Sequence, residues 1–81
     1  MSTVLVRYFA GARAAAGVTE EKVSAATLGD LLANLGCQHG PALATTLTAC
    51  SYLVDGAQWR DRSAPLPDAA TVDVLPPFAG G

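Results

Sequence analysis

Charge is scarce in this 81-residue chain: five Lys and Arg face seven Asp and Glu, 15% of the residues, for a net charge of −2. The cations Arg7, Arg13, Lys22, Arg60 and Arg62 are scattered along the sequence, so no stripe tracks a phosphate backbone and nucleic-acid binding is disfavoured. Histidine occurs once, as His39, and cysteine twice, as Cys37 and Cys50, without the Cys-x-x-Cys spacing of zinc and redox sites. A metal site would have to be assembled from Cys37, His39, Cys50 and a carboxylate, so no bound metal is expected. Two thiols without a disulfide framework suit a reducing compartment, and both read as structural. His39 has no partnered nucleophile in sequence and reads as a solvated loop residue. No apolar stretch approaches the ~20 residues that span a bilayer, so no membrane association is expected. The opening MSTVLVRYFAGAR is interrupted by Arg7 and has no basic region before its apolar part. It is expected to be a strand of the mature fold rather than a signal peptide, and the expected localisation is cytoplasmic. The glycine-rich phosphate loop ending in Gly-Lys-Ser/Thr is also missing, so any ATP-dependent activation has to come from another protein.

What is present is apolar. Hydrophobic residues make up 51% of the chain, enough for one small packed domain and too little interior for a cofactor. Residues 3–9 alternate, with Val4, Val6 and Tyr8 on one face and Leu5, Arg7 and Phe9 on the other, which predicts a central strand. The stretch AGARAAAG, flanked by Gly11 and Gly17, reads as a loop. Residues 18–25 predict a more polar second strand. Thr27 opens a helix, with Asp30 three residues on and Leu28, Leu31, Leu32 and Leu35 on one face; Gly36 is its expected stop. A shorter helix is predicted from Pro41 to Ala49. Strand character returns over residues 50–55, Asp55-Gly56 predicts a tight turn, and residues 71–75 predict a last strand with Val72 and Val74 inward and Asp73 outward. The expected fold class is α+β, a β-grasp mixed sheet with one main helix packed on one face. The domain is expected to cover residues 1–75, with an extended tail over 76–81.

That tail reads Pro76-Pro77-Phe78-Ala79-Gly80-Gly81. Two prolines cannot continue a sheet ladder and hold the backbone extended. Stretched out, six residues reach on the order of 20 Å. Gly80 and Gly81 carry no side chain and can pass a constriction that stops any other residue. A carboxylate is a poor acyl donor, but adenylation gives it AMP as a leaving group, and a sulfur nucleophile can then displace AMP. A terminal glycine leaves that carbonyl unhindered. Glycine-rich tails are also common in domains where they do nothing.

The ending Val74-Leu75-Pro76-Pro77-Phe78-Ala79-Gly80-Gly81 resembles the PPxxGG terminus of the molybdopterin synthase small subunit, in the MoaD/ThiS group of ubiquitin-like sulfur carriers. Val4-Leu5-Val6-Arg7-Tyr8-Phe9-Ala10, Thr27-Leu28-Gly29-Asp30-Leu31-Leu32, Leu53-Val54-Asp55-Gly56 and Pro65-Leu66-Pro67-Asp68 resemble successive parts of the same scaffold. The resemblance implies a chain that is not catalytic alone but is the sulfur-donating subunit of a heteromeric sulfurtransferase. A ubiquitin-activating-like adenylyltransferase would adenylate Gly81 with ATP and magnesium, and a sulfur donor protein would convert the adenylate to a thiocarboxylate. The molybdopterin synthase large subunit would then receive the tail. Gly81 would carry the sulfur, Gly80 would give clearance, and Pro76, Pro77, Phe78 and Ala79 would line the route. Two departures stand out. Asp68-Ala69-Ala70 replaces the Gly-Asp turn of many relatives, and Phe78 is bulkier than the residue expected there. The double proline favours the molybdopterin branch; carriers for thiamine or cysteine synthesis, and a protein modifier using the same tail, remain alternatives. Trp59 is expected to lay part of its ring on the core or to anchor a partner. Phe9, Leu75 and Phe78 are candidates for an apolar partner surface.

Overall fold

The structure is a computed structural model and describes residues 2–77. Strand β1 (Ser2–Tyr8) lies between β2 (Glu20–Ala25), antiparallel to it, and β5 (Thr71–Leu75), parallel to it. Strand β3 (Ser51–Val54) is antiparallel to β5 and carries the two-residue edge strand β4 (Ala57–Gln58), so the order is β2-β1-β5-β3-β4. The last strand thus occupies the middle of the sheet. The expected mixed β-grasp sheet forms, and residues 71–75 form their strand as predicted.

The alternation in β1 sorts the two faces as expected. Val4, Val6 and Tyr8 are buried with Val72, Val74, Tyr52 and Val54 beneath Leu28, Leu31 and Leu35 of α2 (Leu28–His39). Thr27 caps α2 by accepting the Asp30 backbone N–H at 3.1 Å. Leu43 and Leu47 of α3 (Pro41–Leu47) and Leu66 and Ala70 of the last loop complete the core.

Among the described residues three helices form rather than one main helix with a minor second. AGARAAA, expected as a loop, is helix α1 (Ala10–Ala16), with Ala12 buried. Its flanking glycine is a stop signal rather than a helix breaker: Gly17 has φ 79° and donates its N–H to the Arg13 carbonyl at 2.9 Å. The opposite correction applies to Gly36, which lies inside α2 instead of ending it. A Cβ there would meet the Ala44 Cβ at 3.3 Å, so the bare position lets α3 approach closely. The helix therefore runs one turn further, to His39. The Asp55-Gly56 turn is as predicted, with both residues at positive φ. Ala69, in the loop before β5, adopts φ 62°.

Candidate functional site

The root of the tail is held by the centre of the sheet. Leu75 pairs with Ser51 on one side, and on the other the Phe9 N–H donates to the Val74 carbonyl at 3.2 Å. Pro76 follows with no N–H to extend the ladder and is buried, while Pro77 is exposed. The buried ring anchors the chain at the point where it leaves the body. Phe78, Ala79, Gly80 and Gly81 lie outside the described residues.

Around that root, on the sheet face turned away from α2, Leu5, Phe9, Leu53 and Leu75 are half-buried. Arg7 crosses this face, its guanidinium 5.4 Å from the centre of the Phe9 ring. Its Nε approaches Asp73 Oδ1 to 3.3 Å, yet that oxygen is buried and no described residue gives it a hydrogen bond. Phe9 and Leu75 were expected on an apolar surface. Leu53 and the Arg7–Asp73 pair were missed, although outward-pointing positions of alternating strands contain all three. Their pairing needed the register of β5 between β1 and β3.

His39 is not a solvated loop residue. It ends α2, and its Nε2 meets Glu21 Oε2 while Gln38 donates to Glu21 Oε1 at 3.0 Å and Tyr8 donates to Oε2 at 2.6 Å. The His39 and Glu21 side chains are only 13% and 18% exposed, so the cluster ties the end of α2 to the start of β2. Burial by itself pushes the Glu21 carboxyl up. Hydrogen bonds from Tyr8 and His39, the charge of a protonated His39 and the bond from Gln38 outweigh it and leave the carboxyl below the ordinary glutamate range. Burial, and then the Glu21 carboxylate, push the Tyr8 hydroxyl up, so it remains a donor. A depressed carboxyl stabilises the fold above its unfolded pKa, and the gain disappears as pH falls through the folded value. Glu21→Gln is therefore expected to cost roughly 1–2 kcal/mol at neutral pH, from charge-assisted hydrogen bonds. The difference from wild type should shrink as acid protonates Glu21. Denaturant titrations at pH 7 and about pH 3 check this, and a loss equal at both would contradict it.

The cysteines are free. Cys50 is half-buried, its thiol donates to the Thr46 carbonyl at 3.2 Å, and burial pushes its pKa up, which makes it a poor nucleophile. Cys37 is exposed. Among the described residues no three His, Cys, Asp or Glu side chains are grouped to hold a metal ion. Trp59 lies partly buried against the core. Among the described residues no helix is long and apolar enough to cross a membrane.

A family model described as the ThiS family matches residues 6–81, from the first strand to the last glycine. The chain belongs to the ThiS family. Its fold is that of the ubiquitin-like carriers and modifiers. Small archaeal modifier protein 1 of Methanosarcina acetivorans is 26% identical, with TM-score 0.85, over 100% of this chain and 98% of that one. Subunit 1 of a molybdopterin converting factor from Pyrococcus furiosus is 25% identical, with TM-score 0.79, over 96% and 100%. A complex of subunits 1 and 2 of the molybdopterin-converting factor of Helicobacter pylori contains a chain 26% identical, with TM-score 0.73, over 98% and 99%. Among curated proteins no relative matches. The ThiS-family chain is thus similar over nearly its whole length both to subunits of molybdopterin converting factors and to a small archaeal modifier protein.

Proposed function

We propose that this ThiS-family chain carries sulfur as a thiocarboxylate on Gly81 and is the small subunit of molybdopterin synthase. The observation that carries the reading is the anchored root: a central strand ending on a buried proline, an exposed proline, and then Phe78-Ala79-Gly80-Gly81. A stiff base gives the acyl end a defined direction, and the glycines leave it unhindered. The similarity to subunit 1 of two molybdopterin converting factors, one seen with its subunit 2, supports the pathway and a large-subunit partner.

In this reading an adenylyltransferase uses ATP and magnesium to join AMP to the Gly81 carboxylate, releasing pyrophosphate. Hydrosulfide released by a donor protein attacks the acyl carbon; the C–S bond forms as the C–O bond to AMP breaks, and AMP leaves. In the large subunit the thiocarboxylate sulfur bonds to a carbon of a pterin precursor, and water then cleaves the acyl C–S bond, returning the carboxylate for another cycle. This chain supplies the acyl carbon and its delivery, while its partners supply nucleotide, metal and catalysis.

Incubation with activating enzyme, ATP and a sulfur source should raise the intact mass by about 16 Da, the exchange of oxygen for sulfur at the acyl carbon. An unchanged mass with several competent activators contradicts the proposal. The similarity to small archaeal modifier protein 1 favours a second reading, isopeptide conjugation to lysines through the same carbonyl. Conjugates in lysate that vanish on loss of Gly81 would select it.

A further inference from the structure

A cavity of about 350 Å³ opens at the β3–β4 edge, lined by Ser51, Gln58, Trp59, Arg60 and Arg62 among others. The pairing of Ser51 with Leu75 puts this cavity beside the root of the tail. Its charge is unbalanced. The described salt bridges join Arg7 to Asp73 and His39 to Glu21, and neither Arg60 nor Arg62 has a carboxylate partner among the described residues. Asp61, between them in sequence, is engaged elsewhere: its Oδ1 accepts the Ser63 N–H at 2.9 Å and the Ser63 hydroxyl at 2.8 Å. Arg60 has one long hydrogen bond, to Gln58 Oε1 at 3.4 Å. Two of the chain's five cations line this one cavity without an ion-pair partner among the described residues.

The same wall holds an unmet donor. Trp59 Nε1 is buried and has no hydrogen-bond partner among the described residues. Native proteins leave few such groups, and each needs an explanation. Two guanidinium groups with the Ser51 hydroxyl beside them dominate the polar lining, which favours an anion. Phosphate sites typically use a helix N-terminus or a nest of backbone N–H groups, and neither lines this cavity. The Arg60 and Arg62 guanidinium forks, on the loop that follows β4, can pair with a carboxylate or a phosphate, and a carboxylate is the group a protein partner brings. The Arg62 backbone is already placed, since its carbonyl accepts the Gly29 N–H at 2.9 Å, while its side chain is exposed.

We propose that this cavity is a notch for an Asp or Glu side chain of the large subunit that takes up the tail. The inference rests on the carrier reading: the Ser51–Leu75 pairing sets the cavity beside the root of the tail, so a protein that takes up the tail is brought next to it. The notch sets the angle of docking, and an Arg60/Arg62 pair on the approach steers an acidic partner by long-range attraction.

The test is binding of the full-length chain to the synthase large subunit of the same genome, by calorimetry at low and high salt. Arg60→Ala/Arg62→Ala is expected to weaken binding by about tenfold or more and flatten the salt dependence, with Arg60→Glu/Arg62→Glu weaker still. The single tryptophan provides a second readout, because the Trp59 indole N–H resonance should shift when wild type binds. Thermal unfolding shows whether the variants are folded, and both side chains are exposed enough that they should be. Affinities within about twofold of wild type overturn the notch, as does an indole resonance that moves with inorganic phosphate and not with the large subunit. Intact-mass thiocarboxylation of wild type separates the two ideas: normal loading with arginine-independent binding removes only the notch, and no loading removes the carrier.

Discussion

Removing Gly81 alone should abolish sulfur loading and transfer while leaving the melting temperature unchanged within about 1 °C. One residue shortens the tail's reach by about 3.5 Å, and the acyl carbon falls short by that distance in every partner active site. Misplacement of reacting groups by about 1 Å already costs on the order of 100-fold, so the loss here should exceed that. The truncated chain still ends in a carboxylate, on Gly80, so the effect comes from position and not from chemistry. Stability should not change because the tail root is fixed upstream, by the Leu75–Ser51 pairing and the buried Pro76. Intact mass after activation and a thermal melt make the two measurements. A truncated chain that loads sulfur at the wild-type rate would remove Gly81 from its proposed role.

The largest effect on the fold is expected from Leu31→Ala. Leu31 is fully buried in the first turn of α2, in the same core cluster as Val4, Val6, Val72 and Val74. Truncating such a leucine costs about 2–5 kcal/mol through lost transfer energy and the cavity left behind. A chain of this length has a total stability of roughly 4–12 kcal/mol, so the variant loses much of its margin. At about 4–8 °C per kcal/mol, a melting temperature lower by roughly 15 °C is expected. Leu5→Ala, half-buried on the open face, should lose less than about 1.5 kcal/mol and serves as the control. Equal losses at the two positions would mean that the open face is as enclosed as the core.

The alternation of Val4, Val6 and Tyr8, the i, i+3, i+4, i+7 leucines after Thr27 and the run 71–75 were legible because each is a local pattern with a period set by backbone geometry. The same logic failed at Gly17 and Gly36. A glycine is compatible with a loop, a cap or a close helix–helix contact, and only the neighbour decides among them. For Gly36 that neighbour is Ala44, brought close by the turn into α3. His39 failed likewise, since its partner Glu21 is 18 residues away and meets it only after α2 packs on the sheet.

Composition and order along the chain determined the class of fold, the strand that leads into the tail and the presence of Gly80-Gly81 at its tip, because these depend on neighbours within a few residues. The placement of β5 between β1 and β3, the burial of Pro76, the Glu21–His39 clasp and the grouping of Trp59, Arg60 and Arg62 beside the tail root were decided by tertiary structure. Each is a meeting of segments distant in sequence, and such meetings are set by which faces must be buried together, a quantity no local window contains.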